Sequence, residues 1–138
     1  MTKTEIREQV FILLFQTDYH DRESLSQQAE DYLQTLEDAG KKDLRQINDK
    51  YHGVMEHLEE LDDYITRYSR GWEISRLAKA DVAILRVAVY EMLYDEKVPV
   101  GVAINEAVEL AKTYGTEKSP AFVNGLLGNV AREQETEA

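Results

Sequence analysis

VPVGVAINEAVELAKTYGTEKSPAFVNGLLGNV, residues 98–130, holds the start, the stop, the buried face and the exposed face of two successive helices. Pro99 and Gly101 precede the first, and Gly115 stands just past its end. Proline suits a helix start and glycine a helix stop. At 100° per residue, Ala103, Ile104, Ala107, Val108, Leu110, Ala111 and Tyr114 fall on one arc, opposite Asn105, Glu106, Glu109, Lys112 and Thr113. Gly115 is expected to close this helix in the left-handed conformation, which glycine adopts without a Cβ clash. Ser119-Pro120 is expected to open the second helix, the serine oxygen accepting from a free N–H of the first turn. The apolar arc here is Phe122, Val123, Leu126, Leu127 and Val130, with Phe122 at its edge. Asn124, Gly125 and Gly128 lie opposite. A helical glycine costs roughly 1 kcal/mol relative to alanine, so this face calls for a reason. Close approach of another helix or of a nucleic acid would supply one; loose packing would be the plain alternative.

Upstream, Val82–Tyr94 carries only Arg86 and Glu91 as charges, which makes it the central helix, capped by Asp81. Leu44, Ile47, Tyr51, Val54, Leu58, Leu61, Ile65 and Tyr68 alternate spacings of three and four, a heptad seam suited to one long helix packed inside the domain. Arg70-Gly71 breaks it, and Trp72–Leu77 suits a short turn of helix. Ser24–Leu36 shows helical spacing that Gly40 ends, and Asp18–Asp21 reads as a loop. Thr2 and Glu5 have the spacing of a capping box, so a helix starts at once, with Val10–Phe15 buried on every side. Lys3 and Arg7 share a face at its exposed start. Arg132–Ala138 reads as a polar, frayed tail. The whole is all-α, a compact bundle of about seven helices, with residues 1–138 read as a single domain.

Composition narrows the function. The 138 residues are 43% hydrophobic and 31% charged, as in a folded, intracellular protein. No run of about 18 apolar residues offers a membrane span, and the N-terminus lacks a signal-peptide layout. The absence of cysteine excludes disulfides, thiolate metal sites and thiol catalysis. His52 and His57 are five apart, wrong for two ligands on one helix face, and no H-E-x-x-H, P-loop, dinucleotide fingerprint or G-x-S-x-G is present. Glu91 and Glu106 stand among apolar residues, and pairing with Arg86 is the simplest account of both. Neither a catalytic residue nor a metal or cofactor is expected.

A binding role remains. The net charge of −11 opposes nucleic-acid binding by bulk electrostatics, so any such surface must be a local patch or be completed by a basic partner. Lys3, Arg7, Arg86, Lys112 and Lys118 could meet phosphates, Phe122 could stack on an unpaired base, and Asn124 could read a base edge. Each also has a plain reading as surface charge, core ion pair or core packing.

Asp81 with AILRVAVYEML (83–93), Val98-Pro99, VAINEAVELAK (102–112), Tyr114-Gly115 and FVNGLL (122–127) resemble the transcription antitermination factor NusB family. Trp72 stands where that family usually has a tryptophan, and residues 5–16 match more weakly. The resemblance implies two packed helical subdomains and no enzymatic activity. It implies binding of boxA-type RNA in ribosomal RNA leaders, as a heterodimer with NusE, a basic small-subunit ribosomal protein, within a transcription elongation complex in the cytoplasm. By matching positions, Lys3, Arg7 and Arg86 would approach phosphates, with Lys118 nearby. Phe122 and Asn124 would lie at the base-contacting edge, and Asp81 and Tyr90 would face NusE. Thr4 and Glu5 replace part of the arginine-rich start of many members. Some members form homodimers that cover the RNA surface; the alternative is a helical scaffold or homodimer that uses the Leu44–Tyr68 seam, without RNA binding of its own. NusB-like domains also occur in some ribosomal RNA cytosine methyltransferases, whose catalytic part has no counterpart in these residues.

Overall fold

The first helix starts where the capping box places it. Thr2 N–H donates to Glu5 Oε1 (2.8 Å) and Glu5 N–H to Thr2 Oγ1 (3.1 Å), so two otherwise orphaned donors are satisfied reciprocally. The computed structural model describes residues 1–17 and 25–137. In chain order it contains α1 (Lys3–Thr17), α2 (Leu25–Gln34), α3 (Lys41–Glu56), α4 (Leu58–Tyr68), a 3-10 turn (Ile74–Arg76), α5 (Lys79–Tyr94), α6 (Val100–Tyr114) and α7 (Ser119–Glu137). Every regular element among the described residues is helical, and no helix among them is long and apolar enough to cross a membrane. The loop expected at Asp18–Asp21 and the start expected at Ser24 lie outside the described residues.

The apolar run in α5 makes it the axis of the fold. Residues 81 to 89 are buried without interruption, and α5 packs against α1, α3, α4, α6 and α7. One group is α1 with α2 and α3; the other is α4, α5, α6 and α7; the contacts of α1 and α3 with α5 join them. Ala103, Ala107, Leu110 and Ala111 of α6 and Val123, Leu126, Leu127 and Val130 of α7 are buried, as their arcs require. Tyr114 stays 40% exposed, yet its ring lies 4.7 Å from that of Phe11.

Five local expectations are corrected. The heptad seam is divided between two helices: His57 N–H turns back to the Val54 carbonyl (3.2 Å), and its ring stacks on Tyr94 at 4.1 Å. Both segments keep phase, so Ile47, Tyr51, Val54, Leu61 and Ile65 all reach the core. Helix α5 begins two residues before Asp81, whose carboxylate therefore sits inside the first turn rather than at the cap, where it still complements the helix dipole. The tail is helical through Glu137, tied down by the Arg67–Glu133 ion pair and by Gln134 Nε2 on the Met92 carbonyl (3.0 Å).

Gly115 is the fourth. Its backbone is extended (φ −92°, ψ −167°), so chirality is not what demands glycine. Space is: a Cβ there would lie 2.5 Å from the Ser119 Cβ and 2.8 Å from the Ala111 carbonyl oxygen. Ser119 is buried, and its Oγ accepts from the Thr116 N–H (2.9 Å), locking the α6–α7 turn instead of capping α7.

Gly115→Ala is expected to destabilise by about 1–3 kcal/mol, as overpacked sites do, measured by urea denaturation. The Thr2 hydrogen bonds also hold the Glu5 carboxyl below its ordinary range. The cap's contribution is thus complete above the ordinary carboxylate range and lost as pH falls through the lowered value. Amide exchange in the first turn of α1 should rise in acid, and Glu5→Gln should abolish that pH dependence.

Candidate nucleic-acid and partner interface

The proposed phosphate ligands divide sharply. Arg7, on the second turn of α1, is 4% exposed. Its Nε and Nη2 meet both oxygens of Glu91 on α5 (2.7 and 2.9 Å), and Nη1 lies 3.6 Å from Glu106 on α6. Burial opposes the guanidinium charge, but hydrogen bonding to and the charge of Glu91, then the charge of Glu106, raise its pKa overall. Lys50 of α3 closes the cluster on Glu91 (2.7 Å) and Asp95 (3.2 Å). Arg7, not Arg86, accounts for Glu91 and Glu106. Arg86 is also buried and makes a bidentate pair with Asp62 of α4 (2.8 and 2.9 Å). Both arginines are therefore turned into the fold, where exposed phosphates do not reach them without opening an ion pair.

Lys3 is exposed and lines a cavity of about 370 Å³ with Arg7, Lys50, Tyr90, Tyr94 and Lys97. Phe122 lies elsewhere, in a cleft of about 540 Å³ between α7 and the turn after α4. Lys118 and Asn124 are exposed beside it in sequence, and Phe122 is half-buried at the edge of the α7 apolar arc. The seven-residue span Lys118–Asn124 thus holds a cation, an aromatic edge and an amide on one turn and helix start, with Phe122 and Asn124 about 200° apart around α7. Lys112 is exposed and paired with Glu109 (3.1 Å). Among the described residues, no group of three or more His, Cys, Asp or Glu could hold a metal ion.

The two residues placed toward a protein partner do not share a face. Nine positions apart on α5, Asp81 and Tyr90 are about 180° apart around the helix. Asp81 is 7% exposed, and its Oδ1 is buried without a hydrogen-bond partner. Tyr90 covers Gly53 of α3, where a Cβ would collide with its ring, and burial raises the pKa of its hydroxyl. Asp81 is the half of that pair still short of a partner.

The sequence profile of the NusB family matches residues 4–132. The chain belongs to the NusB family. It is 44% identical over 131 residues to the transcription antitermination protein NusB of Agathobacter rectalis, an alignment spanning 95% of this chain and all of the relative. Its fold is similar to T. maritima NusB, at 34% identity and a TM-score of 0.83, over 100% of this chain and 99% of that one. The same fold occurs in a crystal structure of antitermination factors NusB and NusE in complex with dsRNA, at 23% identity and a TM-score of 0.80, over 96% and 99%. The curated relatives are transcription antitermination proteins, so the clefts are read as binding surfaces.

The residues that reading along the chain missed are Lys50 and Asp62, which neutralise the buried charges, and Arg70 and Arg132, which line the Phe122 cleft. Nothing in their sequence neighbourhoods marks the first two, because their partners are 41 and 24 residues away.

Arg7→Ala and Glu91→Ala should each cost about 3–5 kcal/mol, the price of stranding a buried charge. Lys118→Ala and Asn124→Ala should stay within about 0.5 kcal/mol, as exposed substitutions do. Thermal or urea unfolding of the four variants checks this contrast.

Proposed function

We propose that this protein is a transcription antitermination factor of ribosomal RNA operons, acting in the cytoplasm as one NusB-like domain within the transcription elongation complex. It binds boxA-type RNA together with NusE. Full-length likeness to a transcription antitermination protein is the observation that carries this reading. The exposed Lys118 and Asn124 flanking the half-buried Phe122 give it a chemical footing. The lysine meets a phosphate, the ring stacks on an unpaired base, and the amide hydrogen-bonds a base edge. Lys3 adds a second cation at the start of α1. Arg7 and Arg86 serve by holding α1, α4 and α5 in place around this surface rather than by touching RNA.

With a net charge of −11, the chain repels a polyanion at long range. A basic partner such as NusE corrects that field; the Asp81 Oδ1 is buried, so Asp81 reaches such a partner only through the exposed remainder of its carboxylate. Tyr90 is left to packing over α3. The scaffold alternative loses its surface, since Ile47, Tyr51, Val54, Leu61 and Ile65 of the proposed dimer seam are in the core.

The test is a titration of boxA RNA and a scrambled RNA, with and without NusE, at two salt concentrations. Weak binding alone and a large, boxA-selective gain with NusE are expected. Phe122→Ala should lose that selectivity, and Lys118→Ala should reduce the salt slope by about 0.7 for one single-strand phosphate contact. Equal affinity for both RNAs in every condition would sink the proposal.

A further inference from the structure

The cleft that Phe122 lines has a second wall. After α4, Arg70 and Gly71 both adopt left-handed backbone (φ 57° and 85°), which reverses the chain and turns it toward α7. Ser69 is buried inside this turn, its Oγ within reach of the carbonyls of Trp72 (2.6 Å) and Thr66 (3.0 Å). The turn is thereby held from within, while Arg70 and Trp72 point outward. Trp72 is 53% exposed, an unusual state for the largest apolar side chain. It faces the cleft together with Phe122, Gly125, Asn129 and Arg132 of α7.

The chemistry of this lining is specific. No aspartate or glutamate lines the cleft, although the chain has 27 of them against 16 lysines and arginines. Two guanidiniums do line it. Arg70 has no ion-pair partner among the described residues, and Arg132 donates to the Asn129 side chain. Gly125 forms a bare stretch of helix backbone there. A Cβ at Gly125 would meet nothing within 4 Å, so the fold itself has no need of a glycine. Three aromatic side chains (Tyr68, Trp72 and Phe122), two cations, an amide and an exposed backbone suit a planar group that carries negative charge.

We infer that this cleft is an RNA subsite for one unpaired nucleotide, adjoining the Lys118–Asn124 surface. The base lies against Trp72 and Phe122, the phosphate meets Arg70 and Arg132, and the bare backbone at Gly125 lets the strand come close. Base stacking on aromatic side chains with cations on the adjoining phosphates is the general mode of single-strand recognition. A basic protein partner would be repelled by the same two arginines, which favours RNA as the occupant. The inference rests on the RNA-binding reading above and extends it to residues outside the matched motif runs.

Trp72 is the single tryptophan of the chain, so its emission reports on this cleft alone. The probes are boxA RNA, scrambled RNA and a NusE without tryptophan, on the full chain. BoxA RNA should quench Trp72 emission along the same curve as an independent binding signal. Trp72→Ala should weaken RNA binding about five- to tenfold without moving the unfolding midpoint or the affinity for NusE alone. Arg70→Asn, chosen because asparagine tolerates the left-handed backbone, should lower the salt slope by about 0.7. Gly125→Ala should keep or raise stability and weaken RNA binding. If boxA binds selectively but Trp72 emission and the affinity of all three variants stay unchanged, the subsite is wrong and the antitermination reading stands. If NusE alone perturbs Trp72 and Trp72→Ala weakens NusE instead of RNA, the cleft belongs to the protein partner and the inference is overturned. If boxA and scrambled RNA bind alike, the underlying reading fails and takes the subsite with it.

Discussion

The ion pair between Arg7 and Glu91 is the constraint around which the rest of the molecule is arranged. The Glu91 side chain is fully buried, and Arg7 almost so, so neither charge can be left to water. Lys50 and Glu106 complete the cluster, which means that α1, α3, α5 and α6 all send a charged group to one place. The pair spans 84 residues of chain and joins the two helical groups at their shared helix α5. Arg86 and Asp62 repeat the arrangement between α5 and α4. Apolar packing supplies the bulk of the driving force, but these charges tolerate only one relative placement of the helices that carry them.

That constraint decides which cations are left for a ligand. In an acidic chain, two of the most attractive arginines are consumed internally. Of the cations considered for RNA, Lys3 at the start of α1 and Lys118 before α7 stay exposed, and Arg70 and Arg132 line a cleft without carboxylates. Such a distribution favours short, local contacts over long-range attraction, since surface charges beyond about 8 Å are screened at physiological salt. It also gives a physical role to a basic partner, which would bring the attraction that this chain lacks. The tight α6–α7 turn, locked by Ser119 across Gly115, fixes where Lys118 stands relative to the helix bearing Phe122 and Asn124.

Much of the architecture was legible along the chain because its causes are local. The capping box at Thr2 and Glu5, the all-round apolar α5, and the arcs of α6 and α7 depend on neighbours within a few residues or on helical period. The misread features share a different cause. His57 interrupts the seam without disturbing its spacing, so periodicity carries no trace of the break. A glycine just past a helix points to left-handed backbone, the commonest reason for one there, whereas at Gly115 a neighbouring turn requires the missing Cβ. The polar tail reads as frayed until Arg67 and the Met92 carbonyl are found beside it.

The sequence by itself determined the fold class, the order of the helices, the family, and the placement of Phe122 and Asn124 at the edge and outer side of α7. Hydrophobic period, capping and motif spacing are properties of contiguous residues, and they suffice for those conclusions. Only the tertiary structure decided which charged groups are spent inside. Choosing Glu91 for Arg7 and Asp62 for Arg86 depends on helix crossings that bring residues 84 and 24 positions apart within 3 Å. The same crossings set the turn at 69–72 against α7, and so opened the cleft in which Arg70, Trp72 and Arg132 stand together. Pairing across space follows from how helices pack, and one-dimensional spacing holds no record of it.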